Sequence, residues 1–373
     1  ELRSVLARAL ADEPDEAVAW ADRTLWDSER LGLDAVTADA LVTKGSILAF
    51  RGRPHEGVAL LEAGMRLAET RGFGLVAGRA ANNLCAALSV EDPRQAVAVG
   101  RRGIELARRY GLQGLLVGSL SNAIEAALGV GDWDWIDPEL DALQLGDLER
   151  ADHVGLLVGR AEIDAMRGGA TAAFVAELEE ARSGLSDPVA IAAVAAAIAL
   201  IRLAEARFED AFAEATTAAG DPLNAPQGLR IAARSAVRLL DAERARNALE
   251  RLAALGAVGT ANTAASRAID GGVLALEGRW GEATVAFRDG WARLRELGLE
   301  HELGASMVDF LAVAPPAEPS VDDVAAEARE IFGRIGARAW LAQVEDVLAA
   351  RSDAASGGAP RGTRRGRPAV PAG

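Results

Sequence analysis

The chain has 373 residues and a formal net charge of −15; half of it is hydrophobic and only 4% aromatic. That much apolar material excludes a globally disordered chain. The acidic balance disfavours broad binding to a phosphate backbone. The lone Cys85 excludes an intrachain disulfide and a cysteine metal cluster.

Ala, the best helix former, is abundant, and Val and Ile never alternate as strands require, so the predicted class is all-α. The sequence opens at Glu1 directly in helical pattern, as expected of a piece of a longer protein. One signature then recurs: an apolar helix, a small turn, and a second helix that opens on an acid and Ala. Its clearest copies are Gly52-Arg53-Pro54-His55-Glu56-Gly57 and Gly278-Arg279-Trp280-Gly281-Glu282-Ala283. With Asp92, Gly131, Gly168, Arg207 and Asp241 as weaker marks, the turns repeat every 34 to 40 residues, a period of about 38. Such a period predicts a solenoid of helix pairs, wound as a right-handed superhelix. Second helices are expected to end at Gly72, Gly111, Gly256 and Gly298, and Pro54 and Pro93 to sit in first turns. Asp137-Pro138 predicts an irregular unit. The run 189–201 is a buried helix, being too short to cross a membrane.

Ala314-Pro315-Pro316-Ala317-Glu318-Pro319-Ser320 reads as a stiff linker, with Ser320 as an N-cap. A closing helix pair is predicted over 321–350, so the solenoid spans 1–351. Residues 352–373, rich in Arg, Gly and Pro, read as a disordered tail. Because contacts in a solenoid join neighbours, a piece ending at Gly256 is expected to fold by itself.

No catalytic chemistry is visible. Lys44 precedes Gly45 and so cannot end a phosphate-binding loop, and the dipeptides His55-Glu56 and His301-Glu302 lack a second His four residues on. No metal and no cofactor is expected, and Cys85 reads as inert packing. The polar residues inside first helices are more informative. Asn82, Asn83, Asn122, Glu125, Arg160 and Glu162 interrupt apolar faces. First helices of a helix-pair superhelix line its concave side. Asn82, Asn122, Glu125 and Arg160 are therefore the candidate contacts for a protein or peptide partner, or else bonds between neighbouring helices. In the tail, Arg365-Gly366-Arg367-Pro368 resembles a minor-groove hook, with Arg365 and Arg367 as the DNA-contacting pair. Nucleic acid is otherwise not expected as a partner.

Small residues in the best units, Gly271, Leu274, Gly278, Ala283, Phe287 and Gly290, make the helix pairs resemble tetratricopeptide repeats. The segments Arg79-Ala80-Ala81-Asn82-Asn83-Leu84, Gly103 to Arg108, and Ala328 to Leu341 resemble the C-terminal repeat region of large actinobacterial signalling proteins. In that group an AAA/STAND-type ATPase module precedes the repeats, with a class III adenylate/guanylate cyclase domain or a LuxR-type domain. The resemblance implies a cytoplasmic, non-catalytic module that binds a partner or effector and regulates the attached ATPase or cyclase. The alternative it implies is a transcription-regulator fragment assisted by the basic tail.

Overall fold

A computed structural model describes residues 14–143, 150–256 and 259–355. The hook residues Arg365 and Arg367 lie outside that range. The described residues form eighteen helices and no strand. In chain order they are α1 (Pro14–Arg30), α2 (Asp34–Phe50), α3 (Pro54–Arg71), α4 (Gly74–Leu88), α5 (Pro93–Tyr110), α6 (Gln113–Val130), α7 (Ile136–Asp141), α8 (Arg150–Met166) and α9 (Ala172–Ser183). There follow α10 (Pro188–Ala204), α11 (Phe208–Ala218), α12 (Ala225–Arg238), α13 (Ala242–Ala254), α14 (Thr260–Leu276), α15 (Trp280–Leu297), α16 (Glu300–Val313), α17 (Val321–Ile335) and α18 (Arg338–Ala355).

Local sequence explains most ends. Pro54, Pro93 and Pro188 open α3, α5 and α10, where the missing N–H has no helical partner to lose. Asp92 and Asp241 cap α5 and α13 by accepting from the N–H of Gln95 and Arg244, each at 3.0 Å. Gly72 closes α3 at φ +75°, a left-handed conformation that only Gly adopts without strain. Pro138 sits in the first turn of the six-residue α7, where its missing N–H has no helical partner to lose. Ser320 departs from expectation. Its hydroxyl makes no cap bond and instead donates to Glu318 Oε1 at 2.6 Å. At the end of the chain α18 runs to Ala355, past the boundary expected at 351, and Arg351 clamps the linker through the carbonyls of Leu311, Ala314 and Pro315.

Helices pack with their sequence neighbours, and each first helix also meets the first helix of the next pair: α2, α4, α6, α8, α10, α12, α14 and α16 form one continuous row. Small residues set the spacing within a pair. A Cβ on Gly57 would come within 2.5 Å of the backbone of Ala49, so α2 and α3 touch backbone to backbone. This accounts for Gly at a position where a looser pair takes Ala.

The row does not stay open. Helix α16 packs on α6 and α12, and α18 packs on α8. Trp340 of α18 donates to Met166 Sδ at 3.1 Å. Gln343 donates to the carbonyls of Leu203 and Ala204 at 2.9 and 3.0 Å and accepts from Arg238 at 2.8 Å. Arg338 donates to the carbonyl of Arg167 at 2.7 Å. The start of α14 is tied in the same way, with Ala261 N–H donating to the Val90 carbonyl at 3.0 Å. The last helices thus fill the side of the row that an open superhelix offers to partners. Contacts that skip this many units remove the basis for expecting a piece ending at Gly256 to fold alone.

Candidate functional site

The four residues singled out in first helices have three different surroundings. Asn82 and Asn122 meet each other: Asn122 Nδ2 donates to Asn82 Oδ1 at 3.1 Å and to its carbonyl at 3.2 Å. Asn83 continues the ladder to Ser46 Oγ at 2.8 Å. These amides staple α2, α4 and α6 together. Arg160 pairs with Asp141 at 3.3 Å, both partly exposed. Glu125 alone of the four faces an interior chamber.

That chamber has a volume of about 140 Å³ and lies where α16 crosses α6 and α12. Its charged wall is Glu125 from α6, Glu162 from α8, Arg230 and Arg234 from α12, and His301 and Glu302 from α16. Asn262 and Gln227 add amides, and Leu128, Met166, Leu203 and Leu299 add apolar surface. Glu162 had been visible in the sequence as a polar interruption. Arg230, Arg234, His301 and Glu302 had not. The signal existed: Arg230, Arg234 and Arg238 recur every four residues on a first helix, a charged stripe where a core face belongs.

Burial and charge set the electrostatics. Arg234 donates from Nε to Asp309 Oδ2 at 2.8 Å and pairs through Nη1 with Glu302 at 3.0 Å. Burial opposes its charge, but these two acids outweigh it and hold the guanidinium ionised. Burial likewise disfavours ionised Glu302, yet Arg234 and Arg230 hold its carboxyl down at about 2. Asp309, only 1% exposed in its side chain, is pushed up by burial despite Arg234. Glu302 is the more firmly ionised of the two acids, because burial and the charge of Glu302 itself push Asp309 up against the pull of Arg234 and Arg238.

Glu162 is 94% buried by surface area, being 6% exposed. Burial first, and the charge of Glu125 second, raise its carboxyl to about 8. Glu125 is exposed, but the helices around it crowd its carboxyl, and that desolvation raises it against the pull of Arg230. Among the described residues neither carboxyl accepts a hydrogen bond or joins an ion pair. His301 is wedged edge-on between Trp133 and Trp340, and burial lowers it to about 4, so it is neutral at pH 7. Its Nε2 and the Nη2 of Arg234 are buried without a hydrogen-bond partner. Unmet buried polar atoms cost about 1–3 kcal/mol each, which makes this wall an expensive one to leave unused.

Elsewhere the candidate chemistry is quiet. Cys85 is fully buried and burial pushes its thiol up to about 12, leaving it a small apolar side chain. Among the described residues no cluster of three His, Cys, Asp or Glu has the geometry to hold a metal, and no helix is long and apolar enough to cross a membrane. No protein-family model and no curated protein sequence matches the chain.

Proposed function

We propose that the chain is a non-catalytic helical-repeat module of the tetratricopeptide-like, right-handed kind, which binds an effector in the bacterial cytoplasm and regulates an attached ATPase or nucleotide cyclase. The observation that carries this reading is the position of the chamber. Its walls come from α6, α8, α12 and α16, elements that meet only because the row of helices closes on itself. A ligand held there binds the closed arrangement better than an open one. It therefore shifts the closing equilibrium by that difference in affinity, which is how a binding module transmits a signal. First helices that begin at Asp34, Gly74, Gln113, Arg150, Pro188, Ala225, Thr260, Glu300 and Arg338 support a regular repeat of the tetratricopeptide type. An effector is favoured over a long peptide because α16 and α18 occupy the face along which a peptide would lie. The attached ATPase or cyclase rests on the sequence resemblance.

The test is direct. The purified chain is incubated with ATP or GTP and Mg²⁺ or Mn²⁺, and nucleotide hydrolysis and cyclic nucleotide formation are followed. No turnover above a mock purification is expected. Turnover that disappears in Glu125→Gln or Glu162→Gln overturns the non-catalytic reading.

A further inference from the structure

The chamber carries more than a general capacity to bind. Two guanidinium groups, Arg230 and Arg234, face three carboxyls, Glu125, Glu162 and Glu302. Behind Arg234, Asp309 adds a fourth carboxyl and Arg238 a third guanidinium acting on it. The chamber wall and the groups behind it therefore hold one acid more than they have bases, with Glu125 the exposed member. The surplus falls on Glu125 and Glu162, because the guanidinium groups of Arg234 and Arg238 are engaged elsewhere and Arg230 donates to Asn262. Arg234 and His301 belong to the same wall, and Arg234 Nη2 and His301 Nε2 are buried without hydrogen-bond partners. A wall that combines a surplus carboxyl with unpartnered nitrogens is complementary to one class of molecule.

We propose that the chamber binds a small primary amine bearing one hydrogen-bond acceptor, with its ammonium group between Glu125 and Glu162 and its acceptor toward Arg234 and His301. This rests on the effector-module reading above and names the effector's chemistry. Size agrees: an apolar cavity of about 150 Å³ holds benzene, so a chamber of about 140 Å³ takes a ligand of roughly six to eight non-hydrogen atoms. The ammonium replaces the proton that the surplus carboxyl otherwise retains. Binding at pH 7 therefore releases a proton from Glu162, whose carboxyl titrates near 8. Of the other titratable groups on the wall, His301 titrates near 4 and Glu302 near 2, and Glu125, raised by desolvation, adds to the release in the same direction.

The full chain is tested by thermal denaturation and by calorimetry against ethanolamine and γ-aminobutyrate, with acetate and ethylene glycol as partners of similar size that lack the ammonium. At 20 mM the amines raise Tm by several degrees and the other two do not. Calorimetric heats in buffers of different ionisation enthalpy show close to one proton released at pH 7, and affinity rises about fiftyfold from pH 6 to pH 8 as Glu162 ionises. Glu162→Gln removes both the stabilisation and the proton release. Because Gln is near in shape to the protonated carboxyl and neutral like it, this variant folds; Glu125→Gln is the second variant and loses binding in the same way. If neither amine moves Tm or gives a heat, the proposal fails while the absence of turnover still supports the module reading. If an amine binds and is chemically altered, as read by mass spectrometry, the chamber assignment stands and the non-catalytic reading falls. Stabilisation by the amines that survives in both Gln variants places their site elsewhere and overturns the proposal.

Discussion

The two ends of the row of helices are held by different physics. From α2 to α6 each helix touches the next ones along the chain, the contacts are Gly and Ala set closely together, and the polar groups are amides bonded in a ladder beside an inward ion pair, Arg79 with Asp39, made between neighbouring first helices. From α12 to α18 the contacts reach back across many units, and the buried groups are charged: Arg234 with Glu302 and Asp309, and Glu162 beside Glu125. The first region gains stability in small, nearly independent steps, as solenoids do. The second gains it all at once, when the last helices dock and Arg234 receives Glu302 and Asp309. Breaking one partner of a buried ion pair costs about 3–5 kcal/mol, several times the worth of a surface pair.

Removing the second region should give the largest effect. A chain ending at Gly256 lacks α14 to α18, so Arg234 loses both of its acids and Met166 loses the cover of Trp340. With several kcal/mol withdrawn from a protein stabilised by about 5–15 kcal/mol, that fragment should lose its cooperative thermal transition or melt at least 15 °C lower. A fragment melting within a few degrees of the full chain would show that closure contributes little and that neighbour contacts suffice.

The charged region should also betray itself in the dependence of stability on pH. His301 titrates near 4 when folded, below its usual 6.5, so its contribution is whole above pH 6.5 and is lost as pH falls toward 4. Glu162 runs the other way. Its folded value near 8 lies above the usual 4.5, so the folded state keeps a proton that the unfolded chain releases, and stability is lost as pH rises from 4.5 through 8. Between pH 6.5 and 8 only the Glu162 effect of these two operates, and it amounts to about 2 kcal/mol. Glu125 and Asp309, also raised, act in the same direction as Glu162. Urea denaturation should therefore show stability falling from pH 6.5 to pH 8, with the fall reduced in Glu162→Gln. A parent chain whose stability is level over that range would mean that Glu162 is not held protonated.

The same division decides how much of the molecule was legible in the sequence. Helix pairs, their turns and the Pro-rich linker follow from local rules, because Pro54, Asp92 and Gly72 act within one turn of their own position. Glu125 and Glu162 also stood out, as polar residues on apolar faces. What they face was not legible. Arg234 and Asp309 are 75 residues apart in sequence, and Arg338 and Arg167 are 171 apart, so nothing local records their meeting. A neighbour-only rule predicts an open concave face and leaves Asn82 and Asn122 as either partner contacts or bonds between helices; the two amides bond each other, and nothing local foretells that α16 returns onto α6 and α12 and α18 onto α8.

The smallest expected effect belongs to a turn that the repeat pattern only weakly marks. Where the clear units place Gly52 and Gly278 in the left-handed conformation, the units at Arg207 and Asp241 place Ala206 and Leu240, both at φ +58°. A residue with a Cβ pays roughly 1–2 kcal/mol in that conformation, and Gly pays almost nothing. Leu240 has no compensating burial, being 60% exposed. Against this, Gly adds freedom to the unfolded chain worth about 0.4–1 kcal/mol. The balance favours Leu240→Gly by about 0.5 kcal/mol, seen as a slightly higher denaturation midpoint at an unchanged slope. A destabilised variant would mean that Leu240 contributes packing beyond its exposed surface, and that this turn belongs with the tightly coupled region rather than with the locally determined one.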